Sequence, residues 1–192
     1  MMSESAAIVK RPFPPAWLAV LSSARLSYLA TASLEGGGGG GAVAAVPHLS
    51  LMCVSFFEDA ALGAVFIFST RRDTRKFENL VANPRVAILC HDFAAVAAVT
   101  AVAAGAASAE GGGGGADARL RGTLSITCLG TVQVLAGEEE ARLRAEHLRR
   151  QPAHYAHFID GEHIAVCAVA PDTAQAVGES DRVERLGPFG AP

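Results

Sequence analysis

The sequence predicts a mainly β fold with flanking helices, in which six antiparallel strands form a barrel. Three observations carry this. Apolar, partly β-branched runs of strand length recur along the 192 residues. The connections in the first half are of hairpin length, which favours antiparallel neighbours over the long crossovers of a doubly wound sheet. Helical patterns fall in three places, giving the order helix, three strands, helix, two strands, helix, and one or two strands.

The elements follow in order. Pro14-Pro15 opens a helix through Trp17, Leu18 and Leu21 that ends near Ser23. LSYLATAS at 26–33 is a strand with Leu26, Tyr28 and Ala30 on one face and Ser27, Leu29 and Thr31 on the other. The glycine run 36–41 cannot pack and is expected as a flexible hairpin loop. No Lys-Ser/Thr or G-x-G-x-x-G pattern follows it, so it is not a nucleotide-binding glycine loop. A long strand returns over 43–57, with Pro47 marking a bulge or an edge, and a turn leads to a strand at 64–70.

A short helix over 74–82 comes next, capped by Asp73 and ended by Asn83-Pro84, because proline disfavours helical geometry at the residue before it. Residues 85–91 are the next strand, and 94–118 form an Ala/Gly-rich projecting insert without function. β structure resumes over 119–135, with Gly130 allowing a bulge or a close backbone approach. GEEEARLRAEHLRR at 137–150 is a charged surface helix whose acidic first turn and basic last turn suit the helix dipole, anchored by Leu143 and Leu148. The last strands are expected at 163–170 and 174–177. One domain thus spans 1–178, and 179–192 is a loose tail.

The length suits a single domain with a sizeable core, and 51% hydrophobic residues argue for a folded globule. A formal net charge of -3 gives no global attraction to nucleic acid or to an anionic membrane, so neither is expected as a partner. Cys53, Cys90, Cys128 and Cys167 form no C-x-x-C pair and stand among apolar residues. They read as buried reduced thiols rather than a disulfide framework or a zinc site, which suggests a reducing compartment. Glu4 and Lys10-Arg11-Pro12 do not make a secretory signal, and no run reaches the roughly 18 apolar residues of a membrane span. A cytoplasmic location is expected.

The chemistry concentrates between residues 66 and 89. There a strand delivers two hydroxyls, Ser69 and Thr70, and then two cations, Arg75 and Lys76, at a helix N-terminus. Unpaired backbone N–H groups and a partial positive charge make that position a phosphate seat. Arg71 and Arg72 read as a solvated turn or as substrate-side charges. His48 fits a site entrance, where imidazole titrates near neutrality, or an ordinary surface strand. His91 reads as structural. His154 and His157 make an H-x-x-H spacing without a third ligand, so no metal site is expected.

Four blocks resemble a known family: LSYLATAS at 26–33, VPHLSLMCVSF at 46–56, FSTRRDTRKFENLVANPRVAIL at 68–89 and LSITCLGTVQVL at 124–135. The chain is similar to the pyridoxamine 5′-phosphate oxidase-like proteins, the FMN-binding split β-barrels, nearest to a eukaryotic subgroup. The third block is the specific one, since hydroxyl pair, cation pair, Asn-Leu and Asn-Pro recur in order.

The resemblance implies that Arg75 and Lys76 hold the FMN phosphate and that Ser69 and Thr70 flank the flavin. It further implies that Ser50, Leu51, Met52 and Cys53 line the ring and ribityl chain, and that Ser125 contacts the cofactor from a partner subunit. A dianionic phosphate suits the planar fork of Arg75 and the point charge of Lys76. Cys53 then lies near the flavin, as a packed or a redox-active thiol. The pyridoxal-phosphate-forming enzymes carry Arg where Ser50 stands and Lys near Ser55, and their C-terminal substrate residues have only a faint echo in Arg185-Leu186 with Pro188.

The expectation is therefore a homodimeric FMN-dependent oxidoreductase of unknown small-molecule substrate. A non-catalytic flavin or haem carrier is the alternative, motivated by the missing substrate charges and by His154, His157 and His163, and pyridoxamine-phosphate oxidase proper comes third.

Overall fold

The computed structural model describes residues 13–35, 44–91, 124–178 and 183–187. The glycine loop expected at 36–41 and the insert expected at 94–118 lie outside the described residues. The elements are α1 (Pro15–Ser23), β1 (Leu26–Glu35), β2 (Ala44–Asp59), β3 (Gly63–Arg71), α2 (Arg75–Ala82) and β4 (Arg85–His91). They continue with β5 (Ser125–Val134), α3 (Gly137–Arg150), a 3-10 turn (Ala153–Phe158), β6 (Ile164–Val177) and β7 (Val183–Leu186).

The strands run β3-β2-β1-β4-β5-β6-β7, and β3 pairs back onto β6. A ring of six strands results, antiparallel at every step, as the hairpin-length connections imply. β2 changes neighbour along its length. Residues 44–53 pair with β1, whereas residues 54–59 pair with β3. Pro47 lies on the half bound to β1 alone, an edge position where its missing N–H costs no ladder bond.

Two expectations about the C-terminal part change. The segments read as separate strands at 163–170 and 174–177 are one strand, β6. Leu129 faces Thr173 and Gly130 faces Pro171, so Asp172 is the extra residue of a bulge that lets β6 bend and continue. Part of the segment read as a tail, Val183–Leu186, pairs with the end of β6. Its alternation was too short to register as a strand.

The ring interior is filled by Phe56, Phe66, Phe68, Ile88 and Ile126, and Trp17 and Leu21 of α1 pack onto the same cluster. On the other side of β3, Val65 and Ile67 pack with Leu143 of α3 and with Val166. β3 is thus buried on both faces, which is why its sequence is continuously apolar rather than alternating. α3 is held by Leu143 as expected, but its second buried residue is His147; Leu148 is only half-buried.

Candidate functional site

β3 leaves the ring at Ser69 and Thr70, both buried. The turn that follows is fixed by Arg71, whose guanidinium grips Asp73 through two bonds of 2.9 and 2.5 Å. That bond is the main reason the Asp73 carboxyl stays below the usual carboxylate range. With Asp73 engaged, the cap of α2 passes to Thr74, a correction to the expected Asp73 cap. Thr74 Oγ1 accepts from the Phe77 N–H at 3.3 Å and donates to the Arg71 carbonyl at 2.8 Å.

α2 then presents its first turn to β2. The Lys76 ammonium donates to the Met52 thioether at 2.8 Å, and burial lowers the Lys76 pKa from its ordinary value. No carboxylate is paired with Lys76 among the described residues.

Beside this ammonium lies a cleft of about 530 Å³. Leu26, Leu51, Met52 and Cys53 form one wall, and Ser69, Thr70, Arg71, Thr74 and Lys76 form the second. The third comes from Tyr155, His157 and Phe158 of the 3-10 turn, with His163 and Ile164 at the start of β6. Ser69 Oγ donates to the Phe158 carbonyl at 2.9 Å, which ties the aromatic wall to β3. His157 packs at a tilt against Phe158 with ring centroids 3.8 Å apart. Burial pushes the Cys53 thiol up, so it stays protonated at neutral pH.

Six of the nine sequence-predicted positions therefore meet in one cleft: Leu51, Met52, Cys53, Ser69, Thr70 and Lys76. The other three are not among its lining residues. Ser50 Oγ lies 3.4 Å from His48 Nδ1 on β2, and Arg75 is exposed at the first position of α2. Ser125 Oγ lies 2.7 Å from His91 Nδ1 where β4 and β5 pair.

Sequence reasoning missed the third wall. Only its histidines were named, His157 as an ordinary exposed residue and, with His163, as a motive for the haem alternative; Tyr155 and Phe158 were not singled out. Pro152 at the start of the turn and the aromatics Tyr155 and Phe158 that follow it were the available signals. Among the described residues no group of three or more His, Cys, Asp or Glu side chains is placed to hold a metal.

The model of the Pyridoxamine 5′-phosphate oxidase family matches residues 13–178, a span that takes in the ring and the cleft. The chain belongs to the pyridoxamine 5′-phosphate oxidase-like family.

Solved structures of that fold are similar to it. A heme binding protein from Mycobacterium smegmatis superposes with a TM-score of 0.60 at 18% identity, over 93% of this chain and 60% of that one. This chain therefore spans about 60% of that protein's length. The heme storage protein HutZ from Vibrio cholerae superposes with a TM-score of 0.52 at 13% identity, over 84% of this chain and 91% of that one. A FAD-binding protein from Mesorhizobium loti gives 0.50 at 17% identity, over 88% and 96% of the two chains. Identities this low establish a shared fold. No curated protein matches the sequence. Among the described residues no helix is long and apolar enough to cross a membrane.

Proposed function

We propose that this family member is a homodimeric FMN-binding flavoprotein, and an oxidoreductase acting on a small molecule. One observation carries the reading: Lys76, half-buried at an apolar cleft, has no carboxylate partner among the described residues. A cation withdrawn from water without a counter-charge is costly, and an anionic ligand removes that cost. The first turn of α2 adds a favourable partial charge for a phosphate, and Thr70 and Thr74 supply hydroxyls beside it.

The rest of the cleft suits a flat ring. Leu26, Leu51 and Met52 present apolar surface, and Phe158 offers an aromatic face opposite. The flavin, when bound, supplies reversible hydride transfer. The chain's own residues hold its phosphate, orient its ring and exclude water from one side. Ser50 stands where the pyridoxal-phosphate-forming relatives carry Arg. Ser55 is buried against His147, so the cation those enzymes place nearby has no counterpart at that position. A substrate other than pyridoxamine phosphate follows.

The outer face of the ring supports a second copy as partner. Register places Leu49, Ala30, Ala87 and Leu129 in one row across β2, β1, β4 and β5, and Leu51, Tyr28 and Leu89 in the next. Leu49, Leu51 and Leu129 are 65%, 52% and 43% exposed, a patch of the kind that two-fold dimers bury. Leu51 belongs to both the patch and the cleft, so a partner docked there borders the ligand. The free cysteines and the absence of a spanning helix among the described residues are compatible with a cytoplasmic protein.

A second reading, haem binding, is favoured by His157 and His163 in the same cleft, since imidazole is a common iron ligand. The absorption spectrum of the protein purified from its native source, with mass spectrometry of the released cofactor, separates the two. Flavin bands and the mass of FMN are expected, with bleaching by NAD(P)H or by a reduced substrate if the protein is catalytic. A Soret band without flavin overturns the FMN reading.

A further inference from the structure

Of the 16 lysines and arginines in the chain, only Lys10 and Lys76 are lysines. Lys76 brings a primary amine into the cleft, in surroundings unlike those of a solvated lysine. Its hydrogen-bond acceptor is the Met52 thioether, which is weak and carries no charge. The titratable groups lining the cleft with it are Cys53 on β2, Arg71 at the end of β3, Tyr155 and His157 on the 3-10 turn, and His163 before β6. None of them is a carboxylate. Cys167 of β6 lies within electrostatic reach, and burial pushes that thiol up to about 12, so it stays neutral. On α2 itself Arg75 precedes Lys76, and Glu78 is exposed to solvent.

We propose that Lys76 is a carbonyl-reactive modification site: in the flavin-free chain its amine condenses with small aldehydes entering the cleft, and the adduct closes the anion seat. The neutral amine nitrogen bonds to the carbonyl carbon. The carbonyl oxygen leaves as water, carrying both amine protons, and a C=N bond remains with no change in oxidation state. The cleft gives an aldehyde a route to the nitrogen, and burial enlarges the neutral, nucleophilic fraction of the amine near neutral pH. The reactivity stands on these surroundings alone; its consequence for the flavin rests on the phosphate seat proposed above.

The test uses the full-length, flavin-free chain with limiting formaldehyde and cyanoborohydride at pH 7, which trap the imine as a methylamine. Peptide mass spectrometry follows Lys76, with Lys10 as the internal comparison. Lys76 is expected to be methylated severalfold faster than Lys10, and the two rates are expected to converge in urea. Equal or slower methylation of Lys76 in the folded chain overturns the proposal, as does a preference that persists after unfolding.

Saturating FMN is expected to protect Lys76 and leave Lys10 unaffected. Preferential methylation of Lys76 that FMN does not slow supports the modification site and contradicts the phosphate seat. Absence of preference in a chain whose FMN affinity depends on Lys76 contradicts the modification site alone.

Discussion

Ser55 of β2 and His147 of α3 share a 2.8 Å hydrogen bond, with both side chains withdrawn from solvent. Gln151 completes the cluster, donating its amide to the Val54 carbonyl at 2.8 Å and to Ser55 Oγ at 3.1 Å. His147 Nε2 and Gln151 Oε1 are buried without a hydrogen-bond partner among the described residues. α3 is thus fastened beside the cleft wall by a polar cluster that tolerates only a neutral imidazole.

The pH dependence of stability follows. Burial, with the nearby Arg144 charge, holds His147 down to about 4, against about 6.5 for an unfolded histidine. The folded pKa is the lower one, so this contribution is complete above pH 6.5 and is lost as the pH falls toward 4. Between pH 7 and 4.5 the loss is about 2 kcal/mol. Urea denaturation at the two pH values checks it. The loss should be smaller in His147→Gln, and equal losses in parent and variant contradict the assignment.

Asp59 closes the β2–β3 turn. Its Oδ1 accepts from the N–H groups of Ala61 and Leu62 at 3.0 and 3.1 Å, and Arg142 of α3 donates to both carboxylate oxygens. The Arg142 bond above all holds this carboxyl down to about 2. Because Arg142 is half exposed, Asp59→Ala is expected to cost about 1–2 kcal/mol. A thermal melt unchanged from the parent contradicts the role.

Gly130 sits on β5 tight against β6. A Cβ there would lie 2.5 Å from the Ala170 carbonyl oxygen and 2.7 Å from Val169 Cγ1. Since the nearer obstacle is backbone, Gly130→Ala must push the strands apart, at about 2–4 kcal/mol. Denaturant unfolding measures this, and a variant as stable as the parent contradicts the close packing.

The proposed dimer is tested at its exposed leucines. Leu49→Asp combined with Leu129→Asp should shift the protein to monomer in sedimentation, with little loss of fold because both side chains are exposed. Persistence of the dimer shows that another face carries it.

The fold was legible where local chemistry and tertiary position agree. β4 and α3 match the sequence reading to the residue, because alternation in one and a charge-ordered amphipathic pattern in the other already state which face is covered. Gly130 announced the bulge and close approach between β5 and β6, but not that the extra residue, Asp172, lies on the facing strand, because that depends on pairing across the ring. In the cleft, Ser69 and Lys76 announced themselves through one local run of residues. The Tyr155–Phe158 wall did not, because it is brought to the cleft by long-range contacts such as the Ser69 bond to Phe158, 89 residues along the chain.

The central claim is that Lys76 seats the phosphate of FMN, and titration of the flavin-free chain by fluorescence quenching tests it most directly. Lys76→Ala should weaken FMN binding by tenfold to a hundredfold, about 1.5–3 kcal/mol, with the apo-protein melt little changed. Arg75→Ala should cost less, since that side chain is exposed and outside the cleft lining. FMN affinity in Lys76→Ala equal to that of the parent contradicts the account.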